Sequence, residues 1–494
     1  MAVNLFDANF YRAANSDLRN FSNAQALSHF QNYGLNEGRT FSPFVNLNFY
    51  RASNQDLANL GFNNRQLFDH LQNYGVSEGR RFSPFIDLNF YRTNNSDLAQ
   101  LNFNNEQLFE HLRNWGLGEG RSFSPLVDLN FYRTYNGDLA SFNNEQLFDH
   151  LRNYGLREGR YFSSFVDLNI YRAANSDLNA AGFGNQQLLE HLAIYGIMQE
   201  GRRFTVSFDS NYYRNVNSDL ASLSNSQLLE HFERYGLTEG RASSKSFNVR
   251  YYLDNNQDLK AANFNNSQAQ QHFEIYGFRE GRLATPSDSL LVAADPGNTL
   301  KTAYSLDLVN HNRTISEFVG STDRDDYYRF VLTSTSNLNL SLSLSGSSNY
   351  AYANTELIFD SNSNGQVDSG DIIDYGSSSS SISSAVGAGT YFIRVYTGSV
   401  SYNTNYTLGI AVTAIPTTTP RDPGNSLNDA LDIGTVSSNS SLTEFVGIAD
   451  RNDYYRITIA NTSNFNVSLN GLSDSAKVEI IFDSNGNGQA DDNE

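Results

Sequence analysis

Asp87-Leu88-Asn89-Phe90-Tyr91-Arg92-Thr93-Asn94-Asn95-Ser96-Asp97-Leu98, followed by Asn104-Asn105-Glu106-Gln107-Leu108-Phe109-Glu110-His111-Leu112-Arg113-Asn114-Trp115-Gly116-Leu117-Gly118-Glu119-Gly120-Arg121, carries the period of short helices. Leu108, His111, Leu112 and Trp115 stand at i, i+3, i+4 and i+7, which predicts one apolar stripe. Asp87 is the expected cap of a first helix through Phe90 and Tyr91, and Asn95 or Ser96 of a second through Leu98. Asn105 is the expected cap of the main helix, with Glu106 in its first turn and Gly116 as its left-handed stop.

The same stretch recurs along the chain. Seven histidines mark it, His29, His70, His111, His150, His191, His231 and His272, spaced by 41, 41, 39, 41, 40 and 41 residues. One such unit cannot bury its apolar face alone, whereas stacked copies can, so residues 1–282 are expected to form a quasi-linear helical array of seven repeats. Because each histidine falls on the stripe with no second His or Cys beside it, a buried, hydrogen-bonded packing role is preferred to a metal or pH-sensing ladder. Every copy closes on Glu-Gly-Arg, as in Glu37-Gly38-Arg39 and Glu280-Gly281-Arg282. The glycine predicts a positive φ. The arginine is expected to fork onto the recurring Asp17, Asp56, Asp97, Asp138, Asp177, Asp219 or Asp258, rather than to form a free anion- or glycan-binding row.

This pattern, F-D-x-x-F-Y…N-x-D-L…H-[F/L]-x-x-Y-G-x-x-E-G-R, resembles a short helical repeat of large bacterial, especially cyanobacterial, surface and secreted proteins, over residues 6–282. The resemblance implies location and scaffolding rather than an activity.

After Arg282 the composition changes. Residues 283–292 and 414–421 read as linkers. Between them, Leu338-Asn339-Leu340-Ser341-Leu342-Ser343-Leu344 and Tyr391-Phe392-Ile393-Arg394-Val395-Tyr396 alternate as half-buried antiparallel strands do. Residues 293–413 are therefore an expected β-sandwich, and 422–494 a second, truncated one. Asp295-Pro296-Gly297-Asn298 returns as Asp422-Pro423-Gly424-Asn425, and Asp326-Tyr327-Tyr328-Arg329 as Asp453-Tyr454-Tyr455-Arg456. The order P-G-N, D-Y-Y-x-[F/I], then G-x-G-T-Y-F-I-R-V-Y resembles the bacterial pre-peptidase C-terminal domain, which implies a jelly-roll-like, usually non-catalytic module of secreted proteins. The fold class expected is thus multidomain, an all-α repeat array followed by all-β jelly-roll-like sandwiches.

Each module holds one acidic loop after a strand. In Asp360–Asp371, oxygen-bearing side chains fall at positions 1, 3, 5, 9 and 12 with Gly365 at 6, the spacing of a calcium loop. The expected ligands are Asp360, Asn362, Asn364, the Gln366 carbonyl, Asp368 and Asp371. In the second module they are Asp483, Asn485, Asn487, the Gln489 carbonyl, Asp491 and Glu494. The competing reading is an Asx-rich turn that needs no ion. The run Asp323-Arg324-Asp325-Asp326 reads as a solvated loop in preference to a further cation site, and His311 as a surface residue.

Composition narrows the function. Of 34 basic and 53 acidic residues, 9 and 24 lie from Leu283 onward, an acidic half that disfavours nucleic acid and suits cations. Cysteine is absent, which removes thiolate chemistry. Neither an N-terminal signal peptide nor a membrane-length apolar run is visible, and no catalytic motif is present. The expectation is a non-enzymatic, secreted or cell-surface scaffold or adhesion protein with calcium-stabilised β modules. Its expected partner is a surface or matrix component, protein or polysaccharide. The alternatives are the accessory part of a secreted calcium-dependent peptidase and a glycan-binding repeat array.

Overall fold

The computed structural model describes residues 3–285, 289–291, 296–345, 352–398, 403–416, 422–484 and 488, the side chains of Met198 and 289–291 excepted. Contacts divide the chain into two compact units. One holds Met1–Leu156, Arg160–Val166 and Leu189–Glu200; the other holds Arg157–Gly159, Asp167–Leu188 and Gly201–Glu494.

In the first unit the third repeat shows how a copy is built. Asp87 caps the helix Leu88–Asn94, its carboxylate accepting from the Phe90 amide at 2.9 Å. Its own amide donates to the Phe123 carbonyl at 3.1 Å, tying the start of one copy to the chain entering the next. Asn95 precedes Ser96–Gln100 without capping it; its Nδ2 donates instead to the carbonyls of Tyr91 at 2.7 Å and Ser122 at 2.9 Å.

The main helix starts one residue earlier than expected. Asn104, not Asn105, is its cap, in a reciprocal box with Gln107. Asn105 accepts instead from Arg92 at 2.6 Å and donates to the Ser77 carbonyl of the preceding copy. At His111 the helix widens into a π turn, Leu112–Gly116, closed by the Leu117 amide on the Leu112 carbonyl at 3.2 Å. The extra residue shifts the stripe, which runs Leu108, Leu112, Leu117, all buried, and turns Trp115 outward to 64% exposure. Trp115 is therefore not a core residue, because a spacing of four no longer returns to the same face. Gly116 is not the left-handed stop either. Gly120 is, with φ 71°, and Gly38, Gly79, Gly159, Gly201, Gly240 and Gly281 take positive φ at the matching place.

Contacts in the first unit also skip copies. Arg113 donates to the Asn4 carbonyl at 2.5 Å, Asn46 to Glu190 at 3.2 Å, and the Arg152 guanidinium lies 4.4 Å from the Phe10 ring centre. The expectation of a quasi-linear stack is corrected for this unit: copies far apart in sequence pack together there.

In the second unit, helices continue to Phe273–Gly277 and then give way to strands. The first β module has β1 (Ser289–Leu291), β2 (Tyr304–Leu308), β3 (Arg313–Val319), β4 (Asp325–Leu332), β5 (Ser336–Ser345), β6 (Asn354–Ile358), β7 (Ile372–Ser377), β8 (Ile382–Val386), β9 (Gly389–Tyr396) and β10 (Thr404–Ala414). Two five-stranded sheets form, β1-β3-β10-β5-β8 and β2-β4-β9-β6-β7. Leu338, Leu340, Tyr328, Phe330, Tyr391, Ile393 and Leu408 fill the core between them.

β5 alternates buried and exposed as expected, but β4 and β9 are covered on nearly both faces. Their outer side packs on helix Leu168–Ala174 of the fifth repeat. Thr390 Oγ1 donates to the Ala173 carbonyl at 2.7 Å and Arg329 to the Ala174 carbonyl at 3.0 Å. A near-continuous apolar run suits such a strand. Among the described residues the second module has only β11 (Leu431–Thr435) and β12 (Tyr455–Thr458), paired in parallel, and Val467, Leu469, Ile480 and Phe482 are exposed.

Candidate functional site

The predicted loop Asp360–Asp371 is closed by hydrogen bonds among its own side chains and backbone amides. Asp360, 7% exposed, accepts from the amides of Asn364 at 3.1 Å and Gly365 at 2.8 Å. Asp371, 1% exposed, accepts from Ser361 and from the Asp368 amide at 2.9 Å. Asn364 Oδ1 accepts from the Gln366 amide, and Asn362 and Asn364 both donate to Asp368 at 3.0 and 2.6 Å. Those two amide groups hold the Asp368 carboxyl below its usual range.

Gly365 makes the sharp turn at φ 74°, and a Cβ there would strike the Lys301 side chain. Val367 packs against the cluster of Leu300, Tyr327, Ile358 and Phe392, which pins the loop to the sheet. In the second module Asp483 Oδ2 accepts from the Gly488 amide at 3.0 Å, the same bond as Asp360 with Gly365. Asn485, Asn487, Gln489, Asp491 and Glu494 lie outside the described residues.

A different acidic site is assembled by the fold. Ligand-type oxygens of Asp422, Asp450 and Asp453 lie within 4.8 Å of one another, the only such trio of acids, histidines or cysteines among the described residues. Asp422 precedes the tight turn at Gly424, φ 90°, whose amide it accepts at 2.9 Å. Asp450 sits in a turn closed by the Gly447 amide on its carbonyl, and Asp453 lies just before β12. Glu444 stands close enough to add to their field.

Asp450 is 9% exposed, and buried Oδ1 atoms of Asp450 and Asp453 have no hydrogen-bond partner. Burial and then the neighbouring carboxylates drive the Asp450 carboxyl far above its ordinary range. The same causes push Asp453 up to about 7, and burial takes Glu444 to about 7. Sequence reading missed this site because its parts are separated along the chain. Its signal was the paired return of D-P-G-N and D-Y-Y in the two modules.

The corresponding acids of the first module are of the same type: Asp323 stands where Asp450 does, its carbonyl likewise accepting the Gly320 amide, and Asp326 stands where Asp453 does. Asp326, expected in a solvated loop, is fully buried and accepts from the Tyr406 hydroxyl, while Asp325 pairs with Arg394 at 2.5 Å. His311 is half-buried with Nδ1 on Asn310 Oδ1 at 2.7 Å. Asp295 lies outside the described residues.

In the array, the expected arginine–aspartate pair is present in all seven copies, at 2.6–2.8 Å from Arg39–Asp17 to Arg282–Asp258, but through Nη1 alone; the Nε of Arg39, Arg80, Arg121, Arg241 and Arg282 goes to the glutamate two residues back. The histidines are half-buried rather than buried; the fully buried partner is a tyrosine. Tyr11, Tyr50, Tyr91, Tyr132, Tyr213 and Tyr252 meet Nδ1 of His29, His70, His111, His150, His231 and His272 at 2.8–3.0 Å. A Cβ on Gly34, Gly75, Gly116, Gly155, Gly236 or Gly277 would strike the tyrosine hydroxyl, so this glycine is kept for close approach.

No protein-family model matches the chain, and no curated protein matches it by sequence. Solved structures do. The pre-peptidase C-terminal domain of a collagenase from Bacillus anthracis is 18% identical over 22% of this chain and 93% of that one, at TM-score 0.17. A mitogen from Yersinia pseudotuberculosis is 11% identical over 21% and 88%, at 0.15. A periplasmic inhibitor of g-type lysozyme from Salmonella Typhimurium is 12% identical over 22% and 99%, at 0.15. Among the described residues no helix is long and apolar enough to cross a membrane.

Proposed function

We propose that the chain is a non-catalytic, secreted or cell-surface scaffold whose β modules are stabilised by calcium. The observation that carries the reading is the convergence of Asp422, Asp450 and Asp453, with buried oxygens that no hydrogen bond satisfies. Three carboxylates in so small a space repel one another and are costly to desolvate; a hard divalent cation offsets both effects. An all-oxygen donor set suits calcium, and magnesium, which demands a small octahedron, suits it less. The loop Asp360–Asp371 is a second, weaker calcium site in this reading, since its carboxylates already accept amide hydrogens. A scaffold role agrees with the array, where six histidines are engaged by tyrosines in a packing pair rather than set beside a nucleophile.

The test is differential scanning calorimetry of the whole chain in millimolar calcium, in magnesium and in chelator. Calcium should raise the β transition by several degrees, because it binds the folded state preferentially. Equal melting in calcium and chelator overturns the proposal.

A further inference from the structure

In six of the seven copies one large ring points away from the protein; its counterpart in the fifth, Tyr195, is only half-exposed. Tyr33, Tyr74, Trp115 and Tyr154 are 60, 59, 64 and 51% exposed in the first unit, and Tyr235 and Tyr276 are 54 and 48% exposed in the second. All sit at the same place in the π turn, one residue before the glycine that receives the buried tyrosine. The ring lies beside its own histidine, Tyr33 by His29 at 5.5 Å and Tyr74 by His70 at 5.7 Å, tilted by 50° and 53°.

Polar groups flank it. One turn on, the amides of Glu37, Glu78 and Glu119 donate to the carbonyls of Tyr33, Tyr74 and Trp115 at 3.0, 2.9 and 2.9 Å. Those glutamates hold Arg39, Arg80 and Arg121 at 2.5 Å, and the same arginines pair with Asp17, Asp56 and Asp97.

We propose that Tyr33, Tyr74, Trp115, Tyr235 and Tyr276, each with the Glu–Arg–Asp set of its own copy, form subsites for single pyranose units of a neutral polysaccharide. A flat ring offers an apolar face to the C–H face of a sugar, and the set offers planar donors and acceptors to its hydroxyls. Two carboxylates against one guanidinium leave each subsite net negative, which disfavours anionic polymers. Each of these copies offers a single exposed ring at this place, whereas a protein partner buries a contiguous apolar patch. A polymer of repeating sugars matches a repeating surface, and weak contacts add by avidity.

The experiment is native affinity electrophoresis of the whole chain in gels containing hydroxyethyl cellulose, galactomannan, dextran or alginate, with a polyproline peptide as competitor. At least one neutral polymer should retard the chain, and Tyr33→Ala, Tyr74→Ala and Trp115→Ala should each weaken retardation by roughly fivefold. Circular dichroism of the variants checks that the helices persist. Trp115 is the chain's one tryptophan, so soluble oligosaccharide of the retarding polymer should also shift its emission to the blue. Absence of retardation by every neutral polymer, retardation unchanged when Tyr33→Ala, Tyr74→Ala and Trp115→Ala are combined in one chain, preference for alginate, or displacement by the polyproline peptide overturns the proposal.

Discussion

The acids of the array and those of the second β module are the same residue type placed in opposite electrostatic settings. In the array, Asp56, Asp97 and Asp138 each lie under an arginine that hydrogen-bonds the carboxylate and lowers its pKa. In the second module, burial and mutual repulsion raise Asp450 and Asp453. An acid paired within its own repeat is a structural part, complete in itself. An acid held against other acids stores an unfavourable field that something external can relieve. The loop Asp360–Asp371 falls between them, because its carboxylates are satisfied by amides that carry only partial charge.

The largest expected effect tests the high-energy end of that contrast. Carboxyls raised in the folded state contribute stability that is complete below their ordinary range and is lost as pH rises toward the folded value, about 7 for Asp453 and Glu444 and higher for Asp450. In chelator the second module should therefore melt higher at pH 5 than at pH 8, and calcium at pH 8 should restore the difference. Asp450→Asn removes the cost of protonating that carboxyl on folding and should stabilise the chelated protein at pH 8 by about 1–3 kcal/mol while flattening the calcium response. Calorimetry at the two pH values checks this. A destabilised variant with its calcium response intact would break the comparison.

Much of the array was legible because its interactions close within one repeat. The Arg121–Asp97 pair, the left-handed Gly120 and the Asp87 cap each follow from residues that recur together. The misplaced cap had a sequence signal: Asn104 and Asn105 are equally good cap residues, but only Asn104 has Gln107 three positions on to complete the box. The π turn had no such signal, since it is set by the docking of the Tyr91 hydroxyl against the Gly116 backbone, a tertiary contact. In the β region, the spacing of Asp360–Asp371 located a loop but not the partners of its carboxylates. The Asp422–Asp450–Asp453 cluster depends on turns brought together by β11 and β12.

An intermediate effect belongs to Asp360. Asp360→Ala leaves the amides of Asn364 and Gly365 without acceptors in a packed loop, and should destabilise the first β module by about 1–3 kcal/mol even in chelator. Calcium should add a modest further difference, with a dissociation constant on the order of 10⁻⁴–10⁻³ M for a loop with three carboxylates. Melting curves of both proteins across a calcium series measure the two contributions separately. A calcium increment at Asp360 larger than that at Asp450 would reverse the order argued above.

The smallest effect is expected where charges are already matched. Arg160 meets Asp138 at 2.6 Å, but the Asp138 side chain is 58% exposed, so water and salt screen the pair. Arg160→Gln should cost only about 0.5 kcal/mol at neutral pH, and less at high salt. The arginine depresses the Asp138 pKa, so this contribution is present above the ordinary carboxylate range and is lost as pH falls through the lowered value. Thermal unfolding followed by helical circular dichroism, at low and high salt, reads the difference. A loss of about 2 kcal/mol or more, insensitive to salt, would mean that the pair organises the repeat instead of merely balancing its charge. The array's acids would then store as much free energy as those of the second module, and the contrast between the two regions would fail at its quiet end.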